Sequence, residues 1–376
     1  MTFARPKIMA ATPGSFGAFT VAARLPKIVA DVVADLPVEA ARAPEWDRLV
    51  TAVTQGRDID TNLLAPTTGY LEEIIAGLSG KTWRELPFFD LEFLFYHAIN
   101  TIAGRLAPGR DVFARQKQKG LERAIQSVDL PEGPHSIGIA INASLFGNTA
   151  DLSQLHGKDH KNASTLIIDE RAALADRLSR PGSAPIHLVA DNAGAELVAD
   201  LLLVATLLHI GWSVQLHVKP WPMFVSDATI ADVEVTLLAF AASRNETLRQ
   251  VSAFIRQSED QGRLGIEAPA DWGEPRHLDG LSQPLLDRLC ESSGVLLKGD
   301  LNYRRAFGDL AWPVYTDAAT AFLMPSMPAF ALRVLKSELA IGTPRDRLAR
   351  LERDPVDWRT SGLFAVAQFL GRAWPL

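Results

Sequence analysis

In "IHLVADNAGAEL", Asp191 and Asn192 stand side by side where a short apolar run gives way to a helix-like segment. Further on, Asp227 closes "KPWPMFVSDAT", "KGDLNYRR" brings Lys298, Asp300 and Arg304, and "RVLK" brings Arg333 and Lys336. Two carboxylates and an amide oxygen are hard donors that suit magnesium or manganese. The carboxylates roughly neutralise a divalent ion, and the amide adds a ligand without more negative charge, so the ion still attracts an anion. Lys298, Arg304 and Lys336 are then suited to the phosphate oxygens the ion does not reach. Phosphoryl transfer asks a protein mainly for positioning and for neutralisation of spread charge. Each residue taken singly has a plainer reading. Asp191 or Asp227 would cap a helix, Asn192 would sit in a turn, and Glu196 would favour a helix N-terminus. Lys298 and Lys336 would be surface lysines. Recurrence of such groups at several strand ends favours the chemical reading. "HGKDH" has His156 and His160 at the spacing of a metal pair, but in a polar, loop-like setting.

The elements that must position these groups are legible as periodicities. Up to about residue 134 the chain reads as helical: "RLPKIVADVVADL" and "TTGYLEEIIAGL" carry apolar stripes at helical spacing. After "VDLPEGPHS" the rhythm changes, and short apolar runs alternate with helical patterns. The runs are "SIGIAINASLFG", "PIHLVADNAG", "WSVQLHVKPWP", "GVLLKGDLN" and "AFALRVLKS", with helices expected over 193–210, 227–241, 246–257 and 282–292. Such alternation predicts a three-layer α/β/α fold with a mostly parallel, Rossmann-like sheet. The expected organisation is an N-terminal helical region, 1–134, followed by an α/β catalytic domain, 135–376. Ligands of such sheets bind beyond the carboxyl ends of the strands, and the Gly/Pro-rich connection 259–281 is placed to cover that edge.

Composition narrows the function classes. A net charge of -6 argues against general nucleic-acid binding. One cysteine, Cys290, allows neither an internal disulfide nor a cysteine zinc cage. The first residues are too broken by Pro and Gly for a secretory signal, and the most apolar stretch, 201–210, is half the length of a membrane span. The expectation is a soluble cytoplasmic protein whose partner is a small phosphorylated metabolite.

Several segments together resemble the damage-control phosphatases, in particular their third subfamily, also described as acidic-residue methyltransferases. "KTWRELPFFDLEFLFYHAI" resembles the last helix of the family's N-terminal region, and "SLFGNTADLS" its Asn-rich loop. "DNAGAEL" and "KPWPMFVSDAT" are similar to its metal-binding segments, and "KGDLNYRR" is the most specific match. The resemblance implies a divalent metal (manganese, cobalt, nickel or magnesium) on Asp191, Asn192 and Asp227. With the residue reading it gives catalytic roles for Asp191, Asp227 and Lys336. Substrate contacts are expected from Asn148, Glu196, Lys298, Asp300, Leu301, Asn302, Tyr303, Arg304 and Lys336. The chain departs from the family at Val334, where a Thr is usual. The expected activity is metal-dependent hydrolysis of sugar phosphates such as fructose 1-phosphate. The alternatives are a carboxyl methyltransferase using S-adenosylmethionine, for which the single Gly194 is a sparse nucleotide turn, and a non-catalytic sensor of phosphorylated metabolites.

Overall fold

The structure, a computed structural model, describes residues 5–127, 136–147, 165–371 and 374. Its centre is a seven-stranded sheet: β1 (Thr165–Asp169), β2 (Ile186–Val189), β3 (Val214–His217), β4 (Leu264–Glu267), β5 (Gly294–Lys298), β6 (Ala329–Val334) and β7 (Phe364–Phe369). The order across the sheet is β1-β7-β6-β5-β2-β3-β4. All neighbours are parallel except β6 and β7. β2, β5 and β6 are buried along their whole length, as a sheet covered on both faces requires, and their sequences are accordingly continuous apolar runs.

Helices cover both faces, so the three-layer expectation holds. On one face Leu188, Leu216 and Leu296 pack with the helix Ala195–Ile210, which apart from Glu196, Asp200 and Thr206 is apolar on every side and is buried to its last turn. That helix ends at Gly211, whose φ of 113° lets its N–H reach back to the Leu207 and Leu208 carbonyls. On the other face Val189, Val295 and Leu297 pack with Leu285, Leu286 and Leu289 of the helix Gln283–Cys290. The N-terminal helices, among them Leu25–Ala34, Pro44–Thr54 and Phe88–Leu106, build a further core around Trp46, Phe93 and Ile99. Met223 and Leu301, which follow β3 and β5, are part of it. The helical region is therefore seated on the carboxyl edge of the sheet. The expected boundary at 134 falls outside the described residues, and the preceding helix, Ala114–Ser127, packs Leu121 and Ala124 into the core beneath the sheet.

Four of the five expected strands form β2, β3, β5 and β6. The fifth is a correction: "SIGIAINASLFG" is a helix, Ile137–Phe146, capped by the Ser136 side chain on the Ile139 N–H. A short run apolar all round suits a buried helix as well as a strand, and this one is sandwiched against Ala195–Ile210. β1, β4 and β7 were not expected. The connection 259–281 is also more ordered than a loop, since it contains the end of the helix Glu246–Asp260, all of β4 and two helical turns.

Candidate active site at the carboxyl edge of the sheet

β2 ends at Val189, and two residues later Asp191 leaves the sheet edge. Its backbone is fixed by the segment that returns after β3. Ala228 N–H donates to the Asp191 carbonyl at 3.0 Å, Ala193 N–H to the Ser226 carbonyl at 2.6 Å, and Asn192 and Asp227 form an isolated antiparallel bridge. Neither acid caps a helix. The helix after Asp191 takes Gly194 at its N-cap. The helix after Asp227 begins later than expected, at Ile230, capped by Thr229 in a reciprocal box with Asp232. Both carboxylates, 7% and 2% exposed as residues, are thus held at the sheet edge without a capping task.

Burial is the main force on their protonation. It pushes Asp191 up to about 7, with Glu196 adding to the rise and Lys219 opposing it, and it raises Asp227 against the opposing charge of Lys219. A site that holds carboxylates at such a penalty favours a cation. Asn192 links the acids: its Nδ2 donates to Asp191 Oδ2 at 3.0 Å and to Glu196 Oε2 at 2.9 Å. Its Oδ1 accepts from Ser226 Oγ at 2.5 Å. The donor set of Asp191, Asn192 and Asp227 fits a hard divalent ion in chemistry, with Asn192 offering Oδ1 on the side where Ser226 leads into Asp227.

Gly299 makes the approach of β5 to this corner possible. Its φ is +76°, and a Cβ there would lie 1.8 Å from Asp191 Oδ2. No other residue type fits between the turn after β5 and the Asp191 carboxylate.

The basic groups are distributed differently from the sequence expectation. Lys298, which was expected to meet phosphate, is surrounded by acceptors. Its Nζ donates to the Ser144 carbonyl and pairs with Glu196 Oε1 at 3.3 Å and Asp200 Oδ1 at 3.2 Å. Burial disfavours its charge, but Asp200 and Glu196 outweigh this and hold its pKa up. Asp200, buried in mid-helix and bonded by Ser144 Oγ at 2.6 Å, is the acid the sequence reading missed. Arg304 is likewise engaged away from the edge. It pairs with Asp309 at 2.8 Å and Glu92 at 2.5 Å, and its guanidinium lies over the ring of Phe88. It ties the helix Gly299–Ala306, which follows β5, to the helical region.

Asp300 accepts from Arg333 Nε at 2.8 Å, from Ser337 Oγ at 3.1 Å and from the Lys336 backbone N–H at 3.3 Å. Burial works against its ionisation, and Arg333 more than compensates, holding it below the usual carboxylate range. Asp300 therefore places the segment carrying Lys336. Asn302 Nδ2 clamps the end of β2, donating to Lys298 O at 2.8 Å and Val189 O at 3.3 Å. The side chains of Leu301 and Tyr303 are in cores, and Tyr303 Oη donates to the Ile341 carbonyl at 3.2 Å. Val334, where the family has Thr, is buried with the core under the sheet. Lys336 is half-buried with no hydrogen bond or ion pair on its ammonium among the described residues, and its charge favours ionised Asp191. Asn148, His156 and His160 lie outside the described residues.

Among the described residues, His187, His217 and Glu267 form a cluster whose ligating atoms lie within 4.8 Å of one another, a candidate metal site by spacing. It lies on neighbouring strands β2, β3 and β4, apart from Asp191. The Trp272 indole N–H donates to His217 Nδ1 at 3.2 Å, and His187 Nδ1 lies 2.7 Å from His217 Nε2. An Nδ1 that accepts leaves the proton on Nε2, so His217 donates to His187 and both rings have their lone pairs engaged. Burial lowers the pKa of both, His187 to about 4, which keeps them neutral. This bonding describes a buried imidazole relay, and capture of an ion would require it to release a proton.

The connection 259–281 is fastened rather than loose. Arg305 reaches across from the helix Gly299–Ala306, which follows β5, and donates to the carbonyls of Asp271, Trp272, Glu274 and Arg276 at 2.6 to 3.4 Å.

Parallel strands covered by helices, with acids and an amide gathered at the carboxyl edge, define an α/β fold of the kind whose ligands bind at that edge. The chain belongs to the family described as the damage-control phosphatase ARMT1-like domain, which matches residues 20–351. It is 30% identical over 255 residues to the damage-control phosphatase ARMT1 of Danio rerio, covering 61% of this chain and 57% of that one. With the Homo sapiens protein of the same name it shares 24% identity over 360 residues, 83% of this chain and 81% of the relative. The fold is also that of a DUF89 family protein from Pyrococcus horikoshii, with a TM-score of 0.52 and 14% identity over 93% of this chain and 96% of that one. Among the described residues no helix is long and apolar enough to cross a membrane.

Proposed function

We propose that the chain is a divalent-metal-dependent phosphatase of small phosphorylated metabolites, with sugar phosphates such as fructose 1-phosphate as the leading class. The observation that carries this reading is the pair of buried, uncapped carboxylates, Asp191 and Asp227, bridged through Asn192 at the carboxyl edge of a parallel sheet. The family's name supports a phosphatase. Asp191, Asn192 and Asp227 would hold the ion, which when bound would neutralise phosphate charge and polarise phosphorus. Lys336 is the available ammonium for the remaining phosphate oxygens. Asp300 fixes the backbone from which Lys336 projects. Glu196, held by Asn192 and Lys298, keeps the Asn192 amide turned with its oxygen toward Ser226. The methyltransferase alternative finds less room: a Cβ on Gly194 would lie 3.4 Å from the Gly120 backbone, so chain rather than a nucleotide cradle covers that turn.

The test is a phosphate-release screen over sugar phosphates with manganese, cobalt or nickel, with and without chelator. Release that requires metal and disappears in Asp191→Ala is the expected result. Full activity in that variant refutes the assignment, and binding of S-adenosylmethionine without metal favours the alternative.

A further inference from the structure

Two lysines end the strands on either side of β2, Lys298 on β5 and Lys219 just beyond β3, and both are 1% exposed. Their surroundings differ. The Lys298 ammonium has three acceptors, two of them carboxylates. The Lys219 ammonium has one, the Ala190 carbonyl at 3.3 Å, on the residue before Asp191. Among the described residues no carboxylate lies within ion-pair distance of it. An ammonium has three donors, and a buried one with a single long hydrogen bond carries a large desolvation penalty. Its backbone is fixed beside Asp227: Lys219 N–H donates to the Ala228 carbonyl at 2.8 Å, and Lys219 bridges Thr229. One end of the residue is thus anchored next to Asp227 and the other next to Asp191. Of the nearby positive charges, Lys219 is the one that most favours the ionised form of each acid.

We infer that Lys219 is a positioning residue of the site, a fixed positive charge beneath the Asp191–Asp227 pair that steadies the two acids and limits how tightly they hold a divalent cation. The inference rests on the metal-dependent reading for its cation half and not for its carboxylate half. Like charges repel over this range even when partly screened. Removing the ammonium should therefore tighten cation binding while leaving the empty acids less well compensated. A merely structural lysine has the opposite signature, since its loss loosens the cation site.

The experiment uses Lys219→Met and Lys219→Arg in the full chain, with manganese binding followed by calorimetry near pH 8.5, where carboxylates are ionised. Lys219→Met should bind manganese at least about tenfold more tightly than wild type, and Lys219→Arg should restore wild-type affinity. Unchanged or weaker binding in Lys219→Met overturns the inference. In parallel, a metal-free double-mutant cycle of Lys219→Met with Asp227→Asn, read by denaturant unfolding, should show coupling, because the lysine matters less once the acid is neutral. Strict additivity there overturns it. Wild type that binds no manganese refutes the metal-dependent reading and the cation half together, while the metal-free cycle still decides whether Lys219 serves the acids.

Discussion

Gly299→Ala is the sharpest probe of the site's geometry. Two effects add. An L-residue at a φ of +76° carries backbone strain of roughly 1–2 kcal/mol. The new methyl would meet Asp191 Oδ2 at 1.8 Å, where real contacts begin near 3.0 Å. The carboxylate must therefore retreat by about 1 Å, a displacement that costs a positioned reaction on the order of 100-fold. Asp191 has little room to retreat, because its carbonyl is tied to Ala228 and its carboxylate to Asn192. Gly299→Ala should fold, unfold a few degrees earlier in a thermal melt, and lose about two orders of magnitude in metal-dependent phosphate release together with manganese affinity. Activity within threefold of wild type in a folded protein would falsify the placement of Asp191 against the turn.

Two other perturbations test neighbouring parts. Arg305→Ala removes the donor to four carbonyls of the 271–276 segment from a fully buried position, and should destabilise the protein by about 3–5 kcal/mol in denaturant unfolding; a change under about 1 kcal/mol would show that the connection is not fastened there. For pH, the folded-state pKa of Asp191 is raised from 3.8 to about 7, with Asp227 shifted the same way. The folded protein then holds protons that the unfolded chain has released, so metal-free stability should fall as pH rises from about 4 to about 7 and level off above. Saturating manganese should reverse that trend by binding the ionised pair, and parallel pH profiles of Tm with and without metal would count against a cation site.

Much of the fold was legible where local pattern and tertiary demand agree. Apolar runs ended by polar groups became β2, β3, β5 and β6, and the helices between them were displaced by only a few residues. "SIGIAINASLFG" failed because a buried segment apolar on every side has no period to read; its Ser136 cap was the available signal. β4, the four residues Leu264–Glu267, sits at the sheet edge and is half-exposed, so it offers neither a long run nor clean alternation. β7 joins antiparallel to β6 after a long excursion, a pairing that no local pattern states.

At the site, sequence separated residue types but not their assignments. Asp191 and Asp227 were picked out as a pair, and the caps that free them, Gly194 and Thr229, stand in the sequence as ordinary helix-start signals. The lysines were harder. Lys219 and Lys298 each follow a short apolar strand, and in one dimension they are equivalent. What distinguishes them is a third residue, Asp200, one helical turn beyond Glu196 inside an otherwise apolar helix. An acid at such a position demands a buried partner, and the end of β5 delivers Lys298 to it. Once Lys298 is claimed by Asp200 and Glu196, Lys219, just beyond the strand on the other side of β2, is the lysine whose charge most favours ionised Asp191. Lys298 is therefore held inside the fold and is not offered to phosphate, because a carboxylate in the middle of a helix has already bound it.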